Sequence, residues 1–156
     1  MFGLFKSKKL EIISPVSGEI VDLGSVNDEV FSQKMVGDGV AVAPTDGIFR
    51  APVDGILSKL FGTHHAYIVR HQSGVEVMVH IGLDTVDLKG EGFRALANEG
   101  DEVKAGDPVI EADLERIALL GKETVTPVIV SDMGGFKTLE KKSGNLAHSE
   151  TVMELK

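Results

Sequence analysis

A chain of 156 residues, 42% hydrophobic and 26% charged, can bury one core without covalent staples, and its lack of cysteine excludes disulfides and thiolate metal sites. The net charge is −8, and Lys6, Lys8 and Lys9 lie in the first nine residues, so the rest holds 13 basic against 24 acidic side chains. An acidic body repels phosphate backbones, which argues against nucleic acid as a partner and favours a basic protein.

The first nine residues read as a flexible tail ahead of a single domain over 10–156. Phe2, Leu4 and Phe5 beside three lysines give this tail a weak capacity to dock peripherally on the inner face of a membrane. No apolar run approaches the ~18 residues of a membrane span, and the apolar start is too short for a secretion signal, so the chain is expected in the cytoplasm. Strand-like runs follow at 11–13 and 18–23, a short helix at 29–32, and strands at 39–43, 56–61, 66–70 and 75–81. A second helix is expected at 91–97. Doubled Gly-Asp turns over 99–110 read as another hairpin. A strand at 108–112 leads into the best helix, 113–120, with Asp113 as N-cap and Gly121 as stop, and a last strand covers 127–130. The expected fold class is all-β: an antiparallel β-sandwich with an internal pseudo-repeat and a few short helices.

The pseudo-repeat is explicit. Ile13-Ser14-Pro15-Val16-Ser17-Gly18-Glu19-Ile20 matches Arg50-Ala51-Pro52-Val53-Asp54-Gly55-Ile56-Leu57. Proline removes a ladder donor and glycine permits a sharp turn, so each copy should be a strand that turns and leaves as the next strand.

Residues 63–82 read as a β-hairpin with a histidine on each arm. With Gln72-Ser73 as the loop, cross-strand partners sum to 145 and His65 lies opposite His80. Val75, Val77, Val79 and Ile81 then face the core, while Thr63, His65, Tyr67 and Val69 share an outward face with Glu76, Met78 and His80. His71 and His148 sit near turns and read as ordinary surface histidines. A neutral imidazole is a nucleophile at pH 7, so one histidine of the pair can accept a phosphoryl group while the other donates a hydrogen bond to its oxygens. The pair could equally supply two zinc ligands. A zinc hydrolase would use the His80-x-x-x-Asp84 spacing but also needs a His-x-His element, which the chain lacks.

Thr63-x-His65-Ala66-Tyr67, Ser73-Gly74-Val75-Glu76, Val79-His80-Ile81-Gly82-Leu83-Asp84-Thr85-Val86 and Leu88-Lys89-Gly90-Glu91-Gly92-Phe93 closely resemble the glucose-family IIA component of the bacterial phosphoenolpyruvate:sugar phosphotransferase system. Val30-Phe31-x-x-Lys34-Met35-Val36-Gly37-Asp38-Gly39 and Thr126-Pro127-Val128 match as well. The resemblance implies a phosphotransferase component with a phosphohistidine intermediate, the carrier HPr as donor and the IIB domain of a sugar permease as acceptor. It implies His65 as the phosphoryl acceptor, His80 as its stabiliser, and Thr63 as the source of an orienting hydrogen bond. Its apolar partner surface falls on Val30, Phe31, Met35, Val36, Phe61 and Met78, with Asp28 and Asp84 placed to pair with partner arginines. It implies that no cofactor is required. The resemblance also implies an unphosphorylated form that regulates transporters or glycerol kinase, with zinc shared between His65, His80 and a partner carboxylate. His64 stands where the family is expected to carry asparagine or lysine, Tyr67 where phenylalanine is usual, and Met78 where some relatives have a bulkier aromatic residue.

Overall fold

The computed structural model describes residues 8–156; of the expected tail, Met1 to Ser7 lie outside the described residues. Fourteen strands follow in chain order: β1 Leu10–Ile13, β2 Gly18–Val21, β3 Asp38–Pro44, β4 Ile48–Arg50, β5 Gly55–Leu60, β6 Ala66–Arg70, β7 Glu76–His80, β8 Phe93–Ala95, β9 Glu102–Val103, β10 Pro108–Ala112, β11 Thr126–Asp132, β12 Leu139–Lys141, β13 Asn145–Leu146 and β14 Thr151–Leu155. Two short helices, α1 Glu29–Ser32 and α2 Leu114–Leu119, and two 3-10 turns, Leu23–Ser25 and Thr85–Leu88, complete the described elements on which the site depends. The strands form an eight-stranded sheet, β13-β2-β3-β11-β7-β6-β5-β9, and two three-stranded sheets, β1-β14-β12 and β4-β10-β8, with every pairing antiparallel.

Alternation builds the sandwich. Val40 and Val42 of β3, Tyr67 and Val69 of β6, Val77 and Val79 of β7, and Val128 and Val130 of β11 all turn to one face of the large sheet. There they meet Ile12, Phe49, Ile110, Met153 and Leu155 from the two small sheets. Each such burial contributes roughly 1.5–3 kcal/mol, enough to fix which face of each strand points inward.

Each copy of the repeat carries the chain from a small sheet to the large one, β1 into β2 and β4 into β5. The copies also bond to each other reciprocally: Ile13 N–H donates to Pro52 O (3.0 Å) and Arg50 N–H to Pro15 O (2.9 Å). The correspondence continues beyond the repeat legible in the sequence. Ser14 N–H donates to Glu150 O (2.7 Å) as Ala51 N–H does to Asp107 O (2.9 Å). Ala147 N–H is held by the Glu150 carboxylate as Lys104 N–H is by that of Asp107. The large sheet is therefore pseudo-symmetric about the β11/β7 pair, with β13, β2 and β3 answering β9, β5 and β6.

Three expectations need correction. Residues 91–97 do not form a helix, because Phe93 and Ala95 pack on the core while Arg94 points out to Glu111, a period of two that pairs β8 with β10. Residues 99–110 are not a hairpin, since β9 pairs with β5 in the large sheet and β10 with β4 and β8 in a small one. The histidine hairpin has a three-residue loop, Gln72-Ser73-Gly74, closed by His71 N–H to Val75 O (2.8 Å) and Gly74 N–H to His71 O (2.9 Å), with Gly74 at φ +92°. A left-handed glycine at this position is the usual ending of a three-residue hairpin loop.

That extra residue moves the register. Cross-strand partners are Ala66↔His80, Tyr67↔Val79 and Ile68↔Met78, so His65 is not opposite His80. Tyr67 and Val69 lie in the core instead of on the outward face; Tyr67 is fully buried and its hydroxyl donates to Arg50 O at 2.7 Å. The outward face is not bare either. The 3-10 turn Leu23–Ser25 and α1 cross it, laying Leu23, Val26 and Phe31 against Ala41, Met78, Leu83 and Ile129 in a second apolar cluster. Met78 is thus 9% exposed and forms the floor of a layer, not part of an open surface.

Candidate functional site

The two histidines meet in spite of the register shift. His65 precedes β6, and its carbonyl still accepts from Ile81 N–H (2.8 Å) as the ladder ends. His64 before it is left-handed at φ +60°, closing a turn by His64 N–H to Phe61 O (2.8 Å). Among non-glycine residues this conformation favours Asn, Asp and His, which accounts for a histidine where asparagine is expected. The His65 ring comes to rest edge-on to that of His80, centroids 5.0 Å apart and planes at 81°. Phe61 lies against His65 (5.6 Å, 63°) and Phe31 against His80 (4.9 Å, 56°), so an aromatic ring flanks each imidazole.

Each Nδ1 is engaged, and by partners of different kinds. His80 Nδ1 lies 2.7 Å from Gly82 O, a carbonyl that can only accept, so His80 carries its proton on Nδ1 and its lone pair on Nε2. His65 Nδ1 lies 2.6 Å from Thr63 Oγ1, a hydroxyl that can donate or accept. Neither Nε2 is a buried orphan, so both are left for an incoming group.

The Gly82 carbonyl is itself held. Gly82 is left-handed at φ +77°, Leu83 N–H donates to Glu123 O (3.1 Å), and the fully buried Thr85 donates its hydroxyl to Ile81 O (2.6 Å). Gly82 and Thr85 thus hold the carbonyl that engages the His80 ring, and in the sequence they stand as motif letters without a role. The signal available was the glycine two residues after His80.

Burial lowers both imidazole pKa values. His65 is held down at about 4, chiefly by desolvation and then by the charge of His80. Desolvation also lowers His80, partly offset by the Gly82 carbonyl and by the carboxylates of Asp28 and Asp84. Both rings are therefore neutral in the folded protein at pH values where unfolded histidine, with its ordinary pKa of 6.5, is charged. The unfolded state binds the extra protons, so this part of the stability is complete above pH 6.5 and is lost as pH falls from 6.5 toward 4. Urea unfolding at pH 7.5 and 5.0 should show a lower midpoint at pH 5.0. The part of that drop owed to the pair should vanish in the His65→Gln/His80→Gln double variant.

The rim fits a docking surface. Val30 (42% exposed), Met35 (70%) and Val36 (37%) project from α1 and the turn after it. Phe61 is half-buried beside His65. Val86 (52%), one turn beyond Gly82, is an exposed apolar residue that sequence reasoning did not single out. Asp28 caps α1 through Val30 N–H (2.9 Å), and Asp84 is exposed and left-handed at φ +55°. Of the residues expected at the site, the structure brings together Thr63, His65, His80, Phe31 and Phe61. It sets Asp28 and Asp84 close enough to act on His80, and puts Met78 beneath the layer. His71, half-buried at the far end of the hairpin, and the exposed His148 lie outside the pair. Among the described residues no cluster of three or more His, Asp or Glu is arranged to hold a metal, so the pair offers at most two of the four ligands a zinc site takes.

The model of the phosphoenolpyruvate-dependent sugar phosphotransferase system EIIA 1 family matches residues 10–136. The chain belongs to this family. It is 48% identical to the glucose-specific EIIA component of Haemophilus influenzae, over 95% of this chain and 89% of that protein. It is 42% identical to the N-acetylglucosamine-specific EIICBA component of Escherichia coli, over 92% of this chain but 22% of that longer protein. In structure it is similar to the glucose permease IIA of Mycoplasma capricolum, with a TM-score of 0.92 at 40% identity over 96% of this chain and 97% of that one. As an EIIA component, the chain is a phosphoryl-carrying part of the phosphotransferase system that serves sugar uptake. No helix among the described residues is long and apolar enough to cross a membrane.

Proposed function

We propose that the chain takes a phosphoryl group from phospho-HPr onto Nε2 of His80 and passes it to the IIB domain of a glucose-type sugar permease. The observation that carries the assignment is the His80 Nδ1 contact to Gly82 O, which leaves His80 only one nucleophilic nitrogen, Nε2, which is not a buried orphan. His65 suits the supporting role. With the Thr63 hydroxyl donating to its Nδ1, its Nε2–H is free to donate to a phosphoryl oxygen and stabilise charge. This reverses the roles that the resemblance alone attached to His65 and His80, and keeps Thr63 as the orienting group. In the transfer, the P–N bond to the donor imidazole breaks as a P–N bond to His80 Nε2 forms, and the bonding pair returns to the donor nitrogen.

Both partners would use one surface in turn. Val30, Met35, Val36 and Phe61 supply its apolar part, with Phe31 buried at 5% exposure beneath it, and Asp28 and Asp84 meet arginines around the donor's histidine. Incubation with phosphoenolpyruvate, enzyme I and HPr should label the protein with one acid-labile phosphate. Isotope-edited NMR should place it on Nε2 of His80. A phosphate on His65, or on Nδ1 of either ring, would overturn the assignment.

A further inference from the structure

The surroundings of His80 are ill suited to storing a phosphoryl group. Asp28 and Asp84 both act electrostatically on His80, Asp28 from the cap of the helix whose Phe31 ring lies tilted against it, and Asp84 from two residues beyond the carbonyl that holds its Nδ1. Among the described residues neither carboxylate has an ion-pair partner: the nine ion pairs of the structure include neither residue. The cation placed by the aromatic contacts, Lys59, stands over Phe61 (5.6 Å), on the His65 side. A phosphoryl dianion on Nε2 adds net negative charge beside these two carboxylates even if the ring holds a proton on Nδ1.

We propose that Asp28 and Asp84 raise the phosphoryl-transfer potential of phospho-His80: with no ion-pair partner among the described residues, they repel the phosphoryl group and make the phosphorylated chain a stronger donor. Docking arginines would neutralise them, so the repulsion is relieved in the complex and returns when the loaded protein departs. This rests on His80 as the acceptor. It goes beyond docking, because a residue that only recognises a partner changes how fast exchange occurs and not where it comes to rest.

The experiment is the position of equilibrium between the protein and HPr, approached from phospho-HPr and from the phosphorylated protein until both directions agree. Asparagine is the variant of choice at both positions, since it caps a helix as well as aspartate does and tolerates the left-handed conformation of Asp84. In Asp28→Asn and Asp84→Asn the ratio of phosphorylated to free protein at equilibrium should rise about threefold each, and about tenfold in the double variant, even as the approach slows. Slower exchange with an unchanged ratio would overturn the proposal and leave the carboxylates a docking role only. A fall in the ratio would overturn it too, by showing that they stabilise the phosphorylated form. Peptide mapping of the phosphate in the same samples tests the underlying assignment separately: phosphate on His65 would remove that reading whatever the ratio does.

Discussion

His80→Gln should take up no phosphate from phospho-HPr, whereas His65→Gln should be labelled and then fail to deliver. The two variants separate because the two rings are held differently. Glutamine at 80 removes the nitrogen proposed to form the bond, and His65 does not replace it, since a Thr63 hydroxyl donating to His65 Nδ1 leaves the His65 Nε2 protonated. Acceptance should fall by three orders of magnitude or more, on the order of a lost catalytic nucleophile. Glutamine at 65 leaves the His80–Gly82 contact and the Phe31 ring contact intact but removes the Nε2–H proposed to support developing charge. Loss of such a donor costs about 10²–10³ in rate, so labelling at long times should be complete while transfer to the IIB domain slows by that factor. Rapid-quench assays with radiolabelled phosphoenolpyruvate would resolve acceptance from delivery. Equal labelling of both variants, or labelling of His80→Gln alone, would contradict the assignment.

Much of this site was legible in the sequence, and its failures share a physical origin. The strand at 66–70, the helix capped by Asp113 and the crossing repeats were readable because each rests on a local signal: period-two alternation, a capping side chain, and a proline-glycine turn. The hairpin register was not, because Gln72-Ser73-Gly74 can close as a two-residue or a three-residue loop. One residue reverses every face, which is how Tyr67 moved from the surface into the core. The pairing of β9 with β5, and of β10 with β4 and β8, depends on contacts far apart in the chain that no window of sequence contains. The proposed choice of His80 over His65 rests on what each Nδ1 touches. One partner is a carbonyl of the main chain, and main-chain carbonyls carry no residue-specific signature in a sequence.

That carbonyl makes Gly82 the second position of large expected effect. Alanine there would adopt φ +77°, a conformation that costs an L-residue about 1–2 kcal/mol. Its Cβ would also stand 2.6 Å from Glu123 O and 2.6 Å from the Thr85 methyl, the first a main-chain atom that cannot move aside without drawing the 122–124 segment with it. The strain and the clash together should lower stability by roughly 2–4 kcal/mol, visible as a drop in the urea midpoint with an unchanged slope. The more telling loss is chemical. Displacing residues 81–83 moves the Gly82 carbonyl off His80 Nδ1, and the ring is then free to carry its proton on either nitrogen. Nitrogen-15 spectra of the His80 ring should change from a single tautomer to a mixture, and the rate of phosphoryl acceptance should fall beyond what the unfolded fraction explains. Thr85→Val isolates the orienting part. It keeps the buried shape, removes only the hydroxyl bond to Ile81 O, and should loosen the tautomer at a cost of about 1–2 kcal/mol. If Gly82→Ala lowered stability yet left the His80 tautomer and the acceptance rate of the folded fraction unchanged, the carbonyl would be a bystander and the tautomer argument for His80 would fail with it.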